Sequence, residues 1–291
     1  MARSISGIGI GLRREHLGDL VSSQRPVDFL ELLPENWLCY GGQRRRQLDA
    51  CIDRFPSVSH SVSLSIGGTD PLDHELLDAI ALFCERTGAP FFSDHLCYST
   101  VQAQPVHDLL PLPFSRDVAR HVAERVALAQ AHVGRPLLLE NATYYLSMPG
   151  ADLDEAGFIC AVLHATDCGM LLDVNNVYVN SRNHGYDPFS FIDQLPLERV
   201  QQLHLAGHTQ REDVIIDTHI GPIVDPVWAL YRYTLRRAGR MIPTLIEWDQ
   251  DIPALDVLLD EADRARAAAD RALVSPLATA FTAIDSKEGA R

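Results

Sequence analysis

Eight apolar runs of strand length alternate with amphipathic helical patterns along this chain, and this alternation restricts the possible folds more than any other feature of the sequence. Most of the runs are continuously apolar, as expected for parallel strands that are covered on both faces. The runs span residues 8–12, 27–33, 58–64, 90–93, 136–140, 170–173, 200–205 and 242–247.

Five helical patterns accompany the runs, and two of them carry start and stop signals. In residues 70–89, Asp70 stands before Pro71 and the pattern closes at Gly88, which predicts a helix capped at both ends. Residues 115–134 begin at a Ser, end at Gly134 and repeat apolar residues at helical spacing. The other three patterns span residues 154–169, 225–239 and 253–273.

Such alternation over 291 residues predicts an α/β protein built as a single (β/α)8 TIM barrel, with a doubly wound parallel sheet as the alternative. No shift in composition marks an internal linker. We therefore expect one barrel domain over residues 1–275, which carries the metal ligands discussed below, and a C-terminal tail over residues 276–291.

Charge and cysteine usage exclude several classes of protein. A net charge of −14 disfavours phosphate backbones, so no nucleic acid partner is expected. No apolar stretch reaches the roughly 20 residues of a membrane helix, and the N-terminal apolar run is too short for a signal peptide. We expect a soluble, cytoplasmic protein without a membrane partner. The six cysteines contain no C-x-x-C pair, which predicts reduced, mostly buried thiols.

Potential metal ligands stand at or just beyond the ends of most predicted strands. In GMLLDVNNVY, residues 169–178, the apolar run ends at Asp173, and Asn175 and Asn176 follow. The carboxyl ends of parallel barrel strands meet at one rim, where their side chains converge. The other candidates are His60, Asp94, His95, Glu140, Asn141, His204, His208, Asp217, His219, Glu247 and Asp249.

Each candidate alone has a structural explanation, because a carboxylate after a strand often caps the next helix and a lone buried His is usually a hydrogen-bonded core residue. Together, unpaired acids around one mouth would repel one another and lose hydration, so cations are expected among them. Imidazole and carboxylate ligands suit iron, zinc or manganese better than calcium or magnesium. One ion binds about four to six ligands, and the candidates outnumber these, which predicts two or three metal ions.

Ten segments, in order, resemble the UPF0276 (DUF692) family, which is grouped with the multinuclear non-heme iron-dependent oxidative enzymes (MNIO). The resemblance covers residues 7–265. The segments are GIGIGLRREH, PENW, HSVSLSIGG, SDHLCYS, DLLPLPF, LLLENATYYL, LLDVNNVYVNSRNHG, HLAGH, DTHIGP and PTLIEWD.

The resemblance implies a xylose isomerase-like TIM barrel that holds two or three iron ions (Fe2+/Fe3+) and uses O2 as co-substrate. Carried over by motif, one iron would be held by His60, His95 and Glu140. A second would be held by Glu140, Asp173, His204 and Glu247, with Glu140 as the bridge. A third would be held by Asn176, Asp217 and His219.

The resemblance also implies the reaction and the partners. Family members with an assigned function modify cysteine residues of ribosomally made peptides, often beside a small protein that recognises the peptide leader. We therefore expect a Cys-containing precursor peptide as substrate and a small leader-binding partner protein. The residues expected to be catalytic are Glu140, Asp173, His204 and, as an acid or base near the rim, His208.

Further residues are expected near the mouth, where a functional and a packing role are both open. Asp94 is a candidate for orienting the imidazole of His95. Loops at the mouth are expected to carry Tyr144, Tyr178, Asn183 and His184, and the PENW segment to carry Glu35, Asn36 and Trp37.

Two other functions fit the same barrel. One is a metal-dependent hydrolase or isomerase, in which metal-bound water or an alkoxide reacts. Asn176 stands where endonuclease-like relatives have a His, and an amide oxygen is the poorer zinc ligand, which favours oxidation over hydrolysis. The other is a non-catalytic metal-binding scaffold, for which so many ligands at open strand ends are excessive.

Overall fold

Eight parallel strands close into a barrel, so the predicted fold class is confirmed. The structure, a computed structural model, describes residues 4–37 and 40–274; the predicted tail lies outside them. The barrel strands are β1 (Ile8–Gly11), β2 (Leu30–Leu32), β3 (Ser57–His60), β4 (Phe92–His95), β7 (Leu137–Glu140), β8 (Gly169–Asp173), β9 (Val200–Leu205) and β12 (Thr244–Ile246). Their order around the barrel is β1-β12-β9-β8-β7-β4-β3-β2, and each overlaps one predicted run.

Two short antiparallel hairpins extend from the carboxyl ends of barrel strands. The first follows β4 and consists of β5 (Tyr98–Val101) and β6 (Gln104–Leu110). The second follows β9 and consists of β10 (Thr209–Gln210) and β11 (Ile215–Ile216). Neither was predicted, because short exposed strands lack a continuous apolar run.

Ten α-helices lie among the described residues, and five of them match the predicted patterns. The helices are α1 (Leu17–Ser22), α2 (Pro34–Trp37), α3 (Gly42–Arg54), α4 (His74–Thr87), α5 (Arg116–Val133), α6 (Glu155–Ala165), α7 (Val174–His184), α8 (Pro188–Gln194), α9 (Asp225–Ala238) and α10 (Leu255–Leu273). No helix of the described part of the chain is long and apolar enough to cross a membrane.

The start of α4 corrects one prediction. The helix is capped by Asp73, whose carboxylate accepts the backbone N–H groups of Glu75 and Leu76, and not by Asp70. Asp70 is engaged elsewhere, since its carboxylate accepts the backbone N–H of Ala103 in the β5–β6 hairpin. For α5 the prediction is confirmed, because Ser115 caps its start and Gly134 ends it at a φ of 70°.

The interior of the barrel is divided into an apolar floor and a polar layer above it. The apolar floor is a cluster of six buried residues: Phe29, Val58, Phe91, Leu138, Leu171 and Leu245. Side chains two residues apart on a strand share a face. The residue two positions beyond Val58, Leu138, Leu171 and Leu245 is therefore the one that points into the barrel above the floor.

A glycine on β1 makes room for the floor. A Cβ atom at Gly9 would lie 2.6 Å from ring atoms of Phe29, so no larger residue fits there without displacing that ring. The isoleucines on either side, Ile8 and Ile10, face outward into the main core between the sheet and the helices. In the strand IGIG, the isoleucines that face the main core thus alternate with glycines, as the two-residue period of a strand requires.

Candidate metal centre

The polar layer above the floor consists of residues at the carboxyl ends of the barrel strands. His60, His95, Glu140 and Asp173 are the last residues of their strands, and Glu247 directly follows β12. Parallel pairing sets His95 beside Glu140, and Asp173 beside His204. The backbone register therefore brings together side chains that are far apart in the sequence.

His60, His95 and Glu140 form a first group. The Nε2 atoms of His60 and His95 lie 3.5 and 3.4 Å from the same oxygen of Glu140, Oε2. Ser93 Oγ lies 2.9 Å from His60 Nδ1 and fixes the orientation of that ring. One ligand atom from each of the three residues lies within 4.8 Å of the others, which is close enough to hold one ion.

Glu140, Asp173, His204 and Glu247 form a second group with the same spacing. His204 Nδ1 lies 2.9 Å from Glu247 Oε2 and 3.5 Å from Glu140 Oε1. The second oxygen of Glu140 thus faces the second group, while Oε2 faces the first. This carboxylate is placed to bridge two ions.

Asp173 explains why an apolar strand ends in an acid followed by two amides. Its Oδ1 atom accepts the backbone N–H of Asn176 at 2.6 Å and caps α7. Its Oδ2 atom is buried without a hydrogen-bond partner. One carboxylate therefore serves both as a helix cap and as a free oxygen aimed at the cluster.

His219 joins two further sets of acidic groups. Its Nε2 atom lies 2.8 Å from Asp217 Oδ1 and 3.9 Å from Asp173 Oδ2. Its Nδ1 atom faces Glu247 at 3.2 Å and Asp249 at 3.1 Å, and His219, Glu247 and Asp249 form a third compact group. His219 has a φ of 48°, a strained backbone conformation of the kind that concentrates at functional sites.

Asn176 lies beside these groups with a free oxygen. Its side-chain amide donates to the backbone carbonyl of Asn141 at 3.0 Å, which leaves Oδ1 buried without a hydrogen-bond partner. Asp217, by contrast, is held on several sides: it accepts from Thr143 Oγ1 at 3.2 Å and from Asn175 Nδ2 at 2.8 Å.

Buried lone pairs without donors show that the cluster fits cations. The atoms lacking a hydrogen-bond partner include Glu140 Oε1 and Oε2, Asp173 Oδ2 and Asn176 Oδ1. Leaving so many polar atoms unpaired in a protein interior is unfavourable, and metal coordination would satisfy them. The donors are imidazole nitrogens and carboxylate or amide oxygens, the set expected for iron, zinc or manganese.

The surroundings shift the pKa values of two acids of the cluster in opposite directions. Burial opposes ionisation of Glu140, but His95, His204 and His60 together outweigh it and lower its pKa to about 2. Burial, reinforced by the charge of Glu140, raises the pKa of Asp173 well above its usual range. The group nearest three imidazoles is therefore anionic, whereas its neighbour retains a proton unless a cation replaces it.

The histidines hold protons for the same reason. Burial favours neutral imidazole, but the carboxylates of Glu31 and Glu247 outweigh it and raise the pKa of His204 well above its usual value. Asp217 and Glu247 have the same effect on the pKa of His219. Metal ions would take the place of these protons, since imidazole coordinates only in its deprotonated form.

A cavity of about 680 Å³ opens above the cluster. Its lining includes ligand candidates from each group and residues of the β5–β6 hairpin. Around the cluster the cavity wall is formed by Arg13, His60, His95, Asn176, His219 and Glu247. The cavity is large enough for part of a peptide, and no cysteine of the described residues lines it.

Glu31 and Arg13 are site residues that the sequence reasoning missed. Glu31 is buried on β2, and its Oε2 atom lies 3.0 Å from His204 Nε2. Arg13 donates to the backbone carbonyl of Trp248 and to Asp249. An acid inside the apolar run FLELL was a signal for Glu31, but its partner is 173 residues away. Arg13 lies in the GIGIGLRREH segment, but nothing in that segment indicated a role for this residue.

Several residues expected in mouth loops are placed differently. Tyr178, Asn183 and His184 lie on α7, so the prediction that they are in loops is wrong; the helix forms because Asp173 caps it and Gly185 ends it. Tyr144 lies in a loop, buried against the ring of His184.

Asp94 and His208 lie outside the cavity lining. The Asp94 carboxylate accepts the backbone N–H groups of Leu64 and His95, and these bonds orient backbone and not the imidazole of His95. His208 Nδ1 lies 2.7 Å from Asn175 Oδ1, and its ring packs beside Tyr178. Because Asn175 in turn donates to Asp217, His208 is linked to the cluster through Asn175.

The PENW segment supports the loop after His60. Its Glu35 carboxylate accepts from Ser61 Oγ at 2.5 Å and from the backbone N–H of Val62 at 3.0 Å. Asn36 lines the cavity, whereas Trp37 is buried in the core.

We expect Glu31→Gln to weaken metal binding about 10-fold, because carboxylates that accept the free N–H of a ligating imidazole contribute roughly 10- to 100-fold to affinity. The amide still accepts from His204 Nε2 but lacks the charge. The measurement is an anaerobic competition titration against a chelator. Glu15→Gln, at an exposed position, is the control, and an affinity equal to that of the control would contradict the role given to Glu31.

Glu155 supports the loop after β7 from below. Its Oε1 atom accepts from Asn180 Nδ2 at 3.1 Å and its Oε2 atom from Tyr186 at 3.2 Å, and Asn180 Oδ1 accepts the backbone N–H of Tyr144. Burial raises the pKa of Glu155 to about 7 from the ordinary value of 4.5. A raised pKa stabilises the fold below pH 4.5 and this contribution is lost as the pH rises to about 7.

We therefore expect Glu155→Gln to gain stability relative to the wild type by roughly 1.4 kcal/mol per pH unit across that window. Urea unfolding of both proteins at several pH values from about 5 to about 8, with metal removed, measures the difference. A difference that does not change with pH would contradict it.

The fold and this cluster together define a TIM-barrel protein whose histidines and acidic residues at the carboxyl ends of its strands form groups that could hold metal ions. The family model for RiPP precursor modification enzymes of the MbnB/TglH/ChrH type matches residues 7–270. The chain belongs to that family.

Curated relatives agree with this assignment. A UPF0276 protein of Anaeromyxobacter sp. (strain Fw109-5) is 42% identical over 263 residues, covering 90% of this chain and 93% of the relative. A UPF0276 protein of Acinetobacter baylyi is 44% identical over 249 residues, covering 85% and 86%. The resemblance drawn from the ten motifs is confirmed.

Solved structures of other proteins share the barrel. Endonuclease IV from Thermus thermophilus aligns with a TM-score of 0.61 at 16% identity, covering 91% of this chain and 99% of that chain. D-Allulose 3-epimerase from Methylomonas sp. aligns with a TM-score of 0.60 at 13% identity, covering 93% and 98%. At these identities the likeness concerns the fold alone, and the xylose isomerase-like barrel is confirmed.

Proposed function

We propose that this protein is an iron-dependent oxidase that uses O2 to modify cysteine residues of a ribosomally made precursor peptide. The observation that carries the proposal is the chain of ligand groups joined by shared carboxylates, in a member of a RiPP precursor modification family. Glu140 belongs to the first and second groups, and Glu247 to the second and third. Such sharing suits two or three ions acting on one substrate.

The ligands proposed for the first two irons are the two groups that share Glu140. The third iron is assigned to Asn176, Asp217 and His219, with Asp249 as a further ligand candidate on the other side of the imidazole. When bound, iron supplies one-electron chemistry and activates dioxygen, which takes up the electrons and hydrogens removed from the substrate.

The chain's own residues would orient the substrate and keep water out. The apolar floor closes the barrel below the ligands, so the substrate enters only through the mouth cavity. Arg13 is held against Asp249 and Trp248 at one wall of that cavity, where it offsets the negative charge of the acids. His208 is proposed to position Asp217 through Asn175 and not to touch the substrate.

The reacting thiolate is proposed to come from the peptide. The described cysteines of the chain are free thiols, and Cys51, Cys84, Cys97 and Cys168 are buried away from the cavity lining. Burial, together with nearby acids, raises the pKa of Cys97 well above its usual value, so this thiol stays protonated. None of these four thiols would therefore compete with a substrate thiolate for the iron.

A small leader-binding protein is proposed as partner, and the cytoplasm as the compartment. A net charge of −14 argues against a general basic surface that could bind the peptide leader. We therefore assign recognition of the leader to a separate small protein. The five cysteines that the structure describes form no disulfide, which suits a reducing compartment.

A metal-dependent isomerase or hydrolase is the second candidate, favoured by the barrel's likeness to epimerases and endonuclease IV. The two functions differ in metal and in oxygen use. Protein purified without oxygen would contain iron under the first proposal, and turnover with zinc or manganese in the absence of oxygen would support the second.

The direct test begins with the reading frames beside the gene, where we expect a short Cys-containing peptide and a small leader-binding protein, and it continues with these two products and the enzyme together. We expect Fe(II)-dependent oxygen uptake and a changed peptide mass, both lost when the Cys of the peptide is replaced with Ser. An unchanged peptide mass with iron, oxygen and partner all present would overturn the proposal.

A further inference from the structure

A second cluster of possible metal ligands lies on the outer wall of the barrel, between α4 and α5. His74 is the first residue of α4, Asp78 follows one turn later, and His132 lies near the end of α5. His132 Nε2 lies 2.6 Å from Asp78 Oδ1, and the Nδ1 atoms of the two histidines lie 3.4 Å apart. None of the three residues belongs to the barrel cluster.

We propose that His74 and His132 bind one divalent transition metal ion between them, with Asp78 as the carboxylate that orients His132. The bond to Asp78 places a proton on His132 Nε2, which leaves the lone pair on Nδ1. That lone pair faces His74 Nδ1. An imidazole that donates one N–H to a carboxylate and offers its other nitrogen is the usual arrangement around zinc.

The spacing of the two nitrogens fits a shared ion. Zinc binds imidazole nitrogen at about 2.0–2.1 Å, so two nitrogens on one tetrahedral ion lie roughly 3.3–3.4 Å apart. The Nδ1 atoms are separated by 3.4 Å, which matches that spacing. The His132 side chain is 26% exposed and that of Asp78 75%, so water can complete the coordination shell.

The charges around the site favour a cation. The N-terminus of α4 carries a partial positive charge, which acts against metal binding. Asp73, Glu75 and Asp78 surround this end of the helix and supply three negative charges. Imidazole ligands and an open shell select Cu2+, Ni2+ or Zn2+ over Mn2+ and Fe2+.

Such a site would add one ion to any metal count made on the whole protein. Zinc bound at the outer wall would then be counted as if it occupied the barrel. The inference is independent of the proposed oxidase function, because it concerns other residues and other metals.

The test is equilibrium dialysis of the metal-loaded protein against Zn2+, with the ions bound per chain counted. We expect the His74→Ala/His132→Ala double variant to bind one Zn2+ fewer than the wild type at equal iron content, and Asp78→Asn to bind that ion about 10-fold more weakly. His164→Ala, which removes an exposed histidine from α6, is the control and should match the wild type.

Histidine ring NMR signals give a second readout on the same proteins. Substoichiometric Ni2+ should broaden the signals of His74 and His132 before those of other surface histidines. Equal zinc binding by the wild type and the double variant, or broadening without preference for these two rings, would overturn the proposal.

Discussion

Glu140→Gln is expected to remove bound metal from two positions at once and, under the proposed function, to lower peptide modification by more than roughly 100-fold, since even the hydrogen-bonding partners of metal ligands contribute about 10- to 100-fold. Glu140 presents one oxygen to His60 and His95 and the other to His204. Glutamine keeps the shape but loses the charge, and it offers one oxygen instead of two. Metal analysis and peptide mass spectrometry of the anaerobically purified variant measure both effects.

Glu155→Gln is the matched control, because it makes the same change from a buried glutamate to glutamine without touching the cluster. It should retain the metal content of the wild type. If Glu140→Gln retained as much metal as Glu155→Gln, the bridging role of Glu140 would be excluded.

Removing the metals is expected to destabilise the fold by several kcal/mol. An ion present at about 1,000 times its dissociation constant adds about 4 kcal/mol to the free energy of unfolding, so two such ions add roughly 8 kcal/mol. In their absence the cluster retains unpaired lone pairs in the interior, with protons on His204 and His219 as partial compensation. The melting temperature of the chelated protein should fall by well over about 10 °C.

Anaerobic calorimetry with and without a strong chelator measures this loss of stability. The same chelator should change the melting temperature of Glu140→Gln much less, because that variant has fewer ions to lose. A chelator shift equally large in both proteins would show that the stabilising ions lie elsewhere.

Much of the fold and of the cluster was predictable because both follow from strand direction. Continuous apolar runs identify parallel strands, and parallel strands bring their carboxyl ends to one rim. Residues at those ends, such as Glu140 and Asp173, therefore meet without any knowledge of the loops. The geometry of the first two ligand groups needs nothing further than this register.

What sequence reasoning missed depends on contacts across the barrel. Glu31 acquires its role only when β2 and β9 face each other, and which nitrogen of His219 faces which acid depends on a backbone turn with positive φ. Asp70 and Asp73 are equally plausible caps in the sequence. Only the contact of Asp70 with the β5–β6 hairpin shows that Asp73 is the residue that caps α4. The helix α7 was mistaken for a loop because its polar residues obscure the helical period.

The apolar floor also determines the order in which ions and peptide could enter the barrel. With Phe29, Phe91 and their neighbours filling the lower barrel, ions and peptide share one entrance. Under the proposed function, iron would therefore have to bind before the peptide, since a bound peptide would block the route by which iron arrives. On the same proposal, a bound precursor peptide would also keep the ions from leaving during turnover.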